Sequence, residues 1–213
     1  MRQASHSDCH RPAGGLETGF RKRQGAATTT EGLLRDDRTI YVVENDPERS
    51  LVKTLVVIGP SGCGKTTIGT RAAEIAGVPF FEGDAYHSEA AVEKMSEGGA
   101  LTNEERLPWI ARIGKAIAAE APDKAVLACS ALNLTIRAAL RTALPGEIGF
   151  VLLDVPPEEL RRRLTQRQHH FAGAAMLESQ IAAMDKMTDV DRVDGTKPPK
   201  AVAKRVARLV DDL

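Results

Sequence analysis

From residue 53 onward, short apolar runs alternate with longer stretches in which apolar positions recur every three or four residues. Runs at 55–58, 79–82, 125–129 and 148–154 have the length of strands buried on both faces, and 189–194 is a weaker fifth. Between and after them, helical periodicity covers about 65–76, 88–97, 104–120, 134–143, 157–167, 176–186 and 199–213. Pro108 is expected to interrupt the third of these near its start, whereas Pro157 stands in a first turn, where a missing N–H does no harm. Strands alternating with helices predict an α/β fold, a parallel sheet covered on both faces and joined by right-handed crossovers.

Before about residue 32 the pattern stops. Gly14-Gly15, Gly25 and Thr28-Thr29-Thr30 stand among few large apolar residues and show no period. Such a stretch cannot bury enough surface to offset the entropy of ordering it, so residues 1–35 are expected to be a disordered extension. The β-rich run Thr39-Ile40-Tyr41-Val42-Val43, ended by Asn45-Asp46-Pro47, is expected to be an added edge strand within a linker over 36–52. That leaves 53–213 as the folded domain. Arg2, Arg11, Arg21, Lys22 and Arg23 outnumber Asp8 and Glu17 in the first thirty residues. An organelle presequence carries such a bias, but no amphipathic stripe accompanies it, and the reading taken is a tail. No apolar core of a secretory signal and no membrane-spanning run is present.

Composition narrows the partners. Lys and Arg number 29 against 29 Asp and Glu over 213 residues, so neither nucleic acid nor an anionic membrane is expected to bind. Aromatic residues at 4% argue against a base-stacking platform. Cys9, Cys63 and Cys129 form neither a disulfide framework nor a metal-ligand pattern, which points to a reducing, cytoplasmic setting.

Gly59-Pro60-Ser61-Gly62-Cys63-Gly64-Lys65-Thr66 completes the G-x-x-x-x-G-K-[ST] pattern between an apolar strand and a helix start. Backbone N–H groups converge on an anion only where side chains keep clear, and the helix N-terminus adds partial positive charge. Gly59 through Thr67 is therefore the candidate nucleotide site, with Lys65 for the β- and γ-phosphates and the Thr66 hydroxyl for Mg²⁺. Gly83-Asp84-Ala85-Tyr86-His87 follows the second strand, at the sheet edge where α/β folds bind ligands. Asp84 there could hold a Mg²⁺-bound water or take the proton of an attacking hydroxyl. Arg161-Arg162-Arg163 through Arg167 to His170-Phe171 is a basic helix end entering a loop, read as a lid that brings Arg to the transferring phosphoryl group.

From Val57 to about Ala183 the chain resembles the small gluconate kinases of the P-loop kinase group. The resemblance lies in the P-loop, in Gly83-Asp84-x-x-His87, in Lys94-Met95-x-x-Gly98 and in Leu101-Thr102-x-x-x-Arg106-x-Pro108-Trp109. It continues through Cys129-Ser130-Ala131-Leu132 with Arg137 and Leu140-Arg141, then Arg163-Leu164-x-x-Arg167, and His170-Phe171 followed by Met176-Leu177-x-Ser179-Gln180. It implies the three-layer P-loop nucleoside-triphosphate hydrolase fold, with a parallel five-stranded sheet of order 2-3-1-4-5 and a small lid over about 163–176. It also implies ATP with Mg²⁺, commonly a homodimer, and phosphorylation of D-gluconate at its 6-hydroxyl. In that scheme Lys65, Asp84 and Arg167 are catalytic, and Thr66 and Asp84 serve the metal. His87, Arg106, Arg137 and Arg163 meet the substrate, while Tyr86 and Trp109 shape the pocket or belong to the core.

The departures from the family fall on its acceptor side. Ser88 and Ala91 replace a usual Pro and Asn, and Asn103 and Glu105 stand at its two acidic positions. Asn133 replaces a Lys and Ile136 a Tyr. Losing a cation at Asn133 is expected to weaken the hold on a carboxylate. Another small-metabolite or nucleoside-monophosphate kinase, or a non-catalytic nucleotide-binding regulator, is the alternative.

Overall fold

In the computed structural model, residues 33–36, 39–42, 52–120, 122–166 and 170–213 are described, the side chains of 33–36, 39–42 and 170–175 excepted. Two strands, β1 (Leu33–Asp36) and β2 (Thr39–Val42), precede the domain. The domain then runs β3 (Lys53–Ile58), α1 (Lys65–Ala76), β4 (Phe80–Glu82), α2 (Glu89–Ser96), α3 (Asn103–Glu120), β5 (Lys124–Ala128) and α4 (Leu134–Ala143). It closes with β6 (Glu147–Asp154), α5 (Pro157–Thr165), α6 (His170–Ala183), β7 (Asp191–Asp194) and α7 (Pro199–Asp211). The five strands β3 to β7 are parallel and lie in the order β4-β5-β3-β6-β7, which is 2-3-1-4-5 counted within the sheet. This is the P-loop kinase fold.

Burial on both faces explains why the strands read as unbroken apolar runs. Val56 and Ile58 of β3, Leu127 of β5, and Phe150 and Leu152 of β6 join Trp109, Ile110, Ile113 and Ile117 of α3 in one core layer. Their neighbours Leu55, Val57, Val126, Val151 and Leu153 point the other way. There they meet Ile68, Ala72 and Ala73 of α1 and Val202, Val206 and Val210 of α7. The C-terminal carbonyls of α7 take lysine ammonium groups. Lys124 Nζ donates to Val210 O at 2.8 Å and Asp211 O at 3.0 Å, and Lys53 Nζ donates to Leu213 O. Cations suit the negative end of a helix, and these two tie α7 to the starts of β3 and β5.

Four expectations need correction. The run at 39–43 does form a strand, but β2 pairs antiparallel with β1 in a separate two-stranded sheet, not at the edge of the five-stranded one. The partner strand overlaps the end of the stretch expected to be disordered, with Leu33 and Leu34 in register with Val42 and Tyr41. Pro108 does not interrupt α3. The bond its missing N–H would make is to the Glu104 carbonyl, and Glu104 is exposed in the first turn, where water serves instead. Finally, α6 begins at His170, not near 176, because residues 172–175 are Ala and Gly and carry no apolar period to read. Among the described residues no helix is long and apolar enough to cross a membrane.

Candidate active site

The chain leaves β3 through a loop that glycine makes possible. Gly59, Gly62 and Gly64 have φ of +143°, +85° and +103°, a region L side chains seldom enter. A Cβ on Gly59 would also lie 2.8 Å from Cys63 Sγ, and one on Gly62 3.1 Å from Leu164. Gly59 N–H donates to Ser130 O and Cys63 N–H to Pro60 O, both at 3.3 Å, so the loop is closed on itself and fastened beyond the end of β5. α1 starts at Lys65 with no side-chain cap and no acid in its first turn. Its N-terminal N–H groups and positive dipole end are thus open to an anion. Lys65 Nζ donates to Pro60 O at 3.3 Å, and Thr66 and Thr67 are exposed. Cys63 is buried in the core and could meet a nucleotide only through its backbone.

Across the loop, β4 ends in a 3-10 turn, Gly83–Tyr86, that carries Asp84 on its exposed side. A Cβ on Gly83 would sit 2.5 Å from Ala128 O, so only glycine lets this turn lie against β5. The turn is pinned from α3, since Trp109 Nε1 donates to Gly83 O at 2.7 Å and Arg112 Nε to Tyr86 O at 2.7 Å. Trp109 is both core and pocket wall, for the His87 ring stacks on it at 4.3 Å and 11°. Burial pushes the His87 imidazole below its ordinary pKa; Asp84 opposes this, and Arg112 and Arg106 add to it. His87 Nδ1 is buried with no partner among the described residues.

These pieces surround a cavity of about 480 Å³. Ser61, Lys65, Asp84 and Ser130 line it together with His87 and Arg106. Arg106 is half-buried, burial lowers its pKa, and among the described residues no carboxylate stands within ion-pair distance. Its Nη1 meets only Asn103 Oδ1, at 3.4 Å. Cys129, beside Asp84 and Lys65, is an inert thiol that burial first and then Asp84 push up to about 12.

Two of the arginines expected at the substrate are elsewhere. Arg137 is 1% exposed, and its guanidinium is taken by Asp189 at 2.6 Å, both Asp185 oxygens at 3.0 Å, Ala131 O and Met187 Sδ. It fastens α4 to the segment after α6 and has no donor left for an acceptor. Arg163 bonds Glu159 at 2.8 Å, Cys63 O at 3.3 Å and Gly195 O at 2.8 Å, so it braces the P-loop from behind. Arg167 lies outside the described residues. Sequence reasoning missed Ser130 and Gln180 as cavity residues, although both stood in quoted blocks; Ser61 N–H donates to Gln180 Oε1 at 2.6 Å.

The donor set suits a magnesium nucleotide. The glycine loop leaves backbone N–H groups where any Cβ would intrude, and Thr66 and Asp84 offer hard oxygen ligands nearby. Glu82 Oε2, just before the turn, is a buried carboxylate oxygen with no hydrogen-bond partner among the described residues. Among the described residues no cluster of three or more His, Cys, Asp or Glu forms a dedicated metal cage. Mg²⁺ in phosphoryl-transfer sites needs none, since it keeps waters and leans on phosphate oxygens.

Fold and site together define a P-loop kinase. A family model described as an AAA domain matches residues 55–189. A gluconokinase of Gluconobacter oxydans (strain 621H) is 44% identical over 160 residues, covering 72% of this chain and 89% of its own. Among solved structures, a gluconokinase from Sinorhizobium meliloti 1021 superposes with a TM-score of 0.64 at 35% identity, over 75% of this chain and 94% of its own. An unliganded sugar kinase from Janibacter sp. HTCC2649 gives 0.68 at 35% identity, over 75% and 95%. The chain belongs to the gluconokinase family.

Proposed function

We propose that the chain transfers the γ-phosphoryl group of ATP to the terminal hydroxyl of D-gluconate. One observation carries this reading: a single cavity joins the phosphate loop, through Ser61 and Lys65, to a carboxylate, a histidine and a half-buried arginine with no carboxylate partner among the described residues. Lys65 and the α1 N-terminus hold the triphosphate. Asp84 takes the proton as the hydroxyl oxygen forms its bond to phosphorus and the bond to ADP breaks. Mg²⁺, held by Thr66 and Asp84, would neutralise phosphate charge. At the far end Arg106 meets the substrate carboxylate; a desolvated cation without a counter-ion gains most from an anionic ligand. His87, kept neutral by burial, contributes a hydrogen bond to a hydroxyl. The buried free thiols Cys63 and Cys129 suit a reducing cytoplasm.

The test is acceptor-dependent ADP release across sugar acids, neutral polyols and nucleoside monophosphates. Gluconate should give the highest kcat/KM. Turnover driven by a neutral polyol or a nucleotide in its place would overturn the acceptor and leave the kinase. Nucleotide binding with no acceptor-stimulated turnover would overturn both.

A further inference from the structure

The contact between Gln180 and the P-loop plays no part in the mechanism above. Ser61 N–H can be met only by the amide oxygen, so the 2.6 Å bond fixes which way the Gln180 amide faces. The Nε2 group, at the opposite end of the same planar amide, has no protein partner among the described residues, and Gln180 lines the cavity. The helix beneath it is held firmly. Leu177 is buried and Ile181 packs on the core, while Met176, Ser179, Gln180 and Ala183, at helical spacing, form the face toward the cavity. Beyond the helix, Asp185 N–H donates to Leu132 O at 3.2 Å and the Asp185 carboxylate grips Arg137.

We propose that Gln180 seats α6 on the phosphate loop through its amide oxygen and donates through its amide N–H to a hydroxyl oxygen of the polyhydroxylated acceptor. This rests on the sugar-acid reading above. The chemistry of the place favours a neutral donor. Asp84 already accepts a proton there, so a hydroxyl-bearing acceptor needs donors to its lone pairs. A cation in the same position would be drawn to the triphosphate oxygens more strongly than to hydroxyls. A neutral amide lacks that bias, and it positions the acceptor against the loop that holds the phosphoryl group.

Gln180→Glu and Gln180→Met separate the two parts of the role. Glu keeps an oxygen for Ser61 N–H and loses the donor; Met keeps the length and loses both. Loss of a donor to a hydroxyl should raise the acceptor KM about tenfold in both variants, with a smaller change in the KM for ATP in Gln180→Met and a melting temperature that falls only in Gln180→Met, where Ser61 N–H loses its acceptor. A Gln180→Glu enzyme with wild-type acceptor KM would reduce Gln180 to a strut and overturn the donor role. Equal weakening of ATP and acceptor in Gln180→Met would overturn it too. If Gln180→Met does not fold, Gln180→Glu alone decides. Both are assayed with whichever acceptor drives ADP release from the unmutated enzyme, so a wrong acceptor and a wrong residue give different results.

Discussion

Two guanidinium groups close to the cavity differ in what surrounds them. Arg106 faces the cavity with a single side-chain amide for a partner, whereas Arg137 is enclosed by Asp185 and Asp189. A sequence shows a cation but not the carboxylates that reach it from fifty residues further on, which is why both were expected at the substrate. Arg137→Leu removes the shared partner of two acids and should cost about 3 kcal/mol, read as a lower denaturation midpoint. Burial raises the Asp185 pKa, but the Met187 N–H and Arg137 outweigh it, and hydrogen bonds from Arg137 lower that of Asp189. Depressed carboxyl pKa values stabilise the fold above the unfolded value near 4 and lose that contribution as pH falls through the folded values. The Leu variant should therefore show a flatter loss of stability below pH about 4. Asp84 poses the opposite case, an exposed acid with no ion pair among the described residues. Asp84→Asn should lower kcat about 10²–10⁴-fold without a change in melting temperature. A variant with normal turnover and weakened ATP binding would make Asp84 a binding group only.

At the scale of elements, the departures from the family pattern turn out to sit at helix starts. Ser88 caps α2 by accepting the Ala91 N–H at 3.3 Å, and Asn133 caps α4 by accepting the Ile136 N–H at 3.0 Å. Thr102 and Glu105 form a reciprocal capping box at the start of α3, at 2.7 and 3.2 Å, while Glu105 also holds Lys94 of α2. A linear reading sees the charge lost at Asn133 but not the helix end gained. Asn133 also lines the cavity, where its Nδ2 donates to Asn103 Oδ1 at 3.4 Å. Asn133→Lys should act in two directions. A charge-assisted bond in place of a neutral one should tighten gluconate by about 1–2 kcal/mol, and loss of the cap should destabilise the fold by about 1 kcal/mol. Calorimetric binding and denaturation read these separately. Tighter binding with no loss of stability would show that the cap is dispensable; no tightening would show that position 133 does not reach the carboxylate.

For the molecule as a whole, the strands, the helices and the phosphate loop were legible because each depends on contiguous residues, whereas the sheet order, which pairs strands far apart in the chain, came only with the family resemblance. The acceptor chamber was not legible, because its wall is assembled from the ends of β4 and β5 and from α2, α3 and α6, and only the fold brings them together. The same logic bears on the N-terminal quarter. Both core layers are built from residues at or beyond Val52; among the described residues the strands β1 and β2 pair with each other, and β1 lies against α3. Residues 1–32 hold few large apolar side chains, among them Leu16 and Phe20, and no periodic face to dock. Deleting 1–32 while keeping both of those strands should change stability by less than about 0.5 kcal/mol and leave kcat and both KM values unaltered. Linkage supplies a second readout, since a ligand that binds only the folded state at a hundred times its Kd adds about 2.7 kcal/mol. The shortened chain should show that same gain with MgATP as the full chain does. A lower melting temperature with an intact MgATP gain would mean that the extension packs on the domain away from the site. Loss of the gain itself would place the extension at the nucleotide.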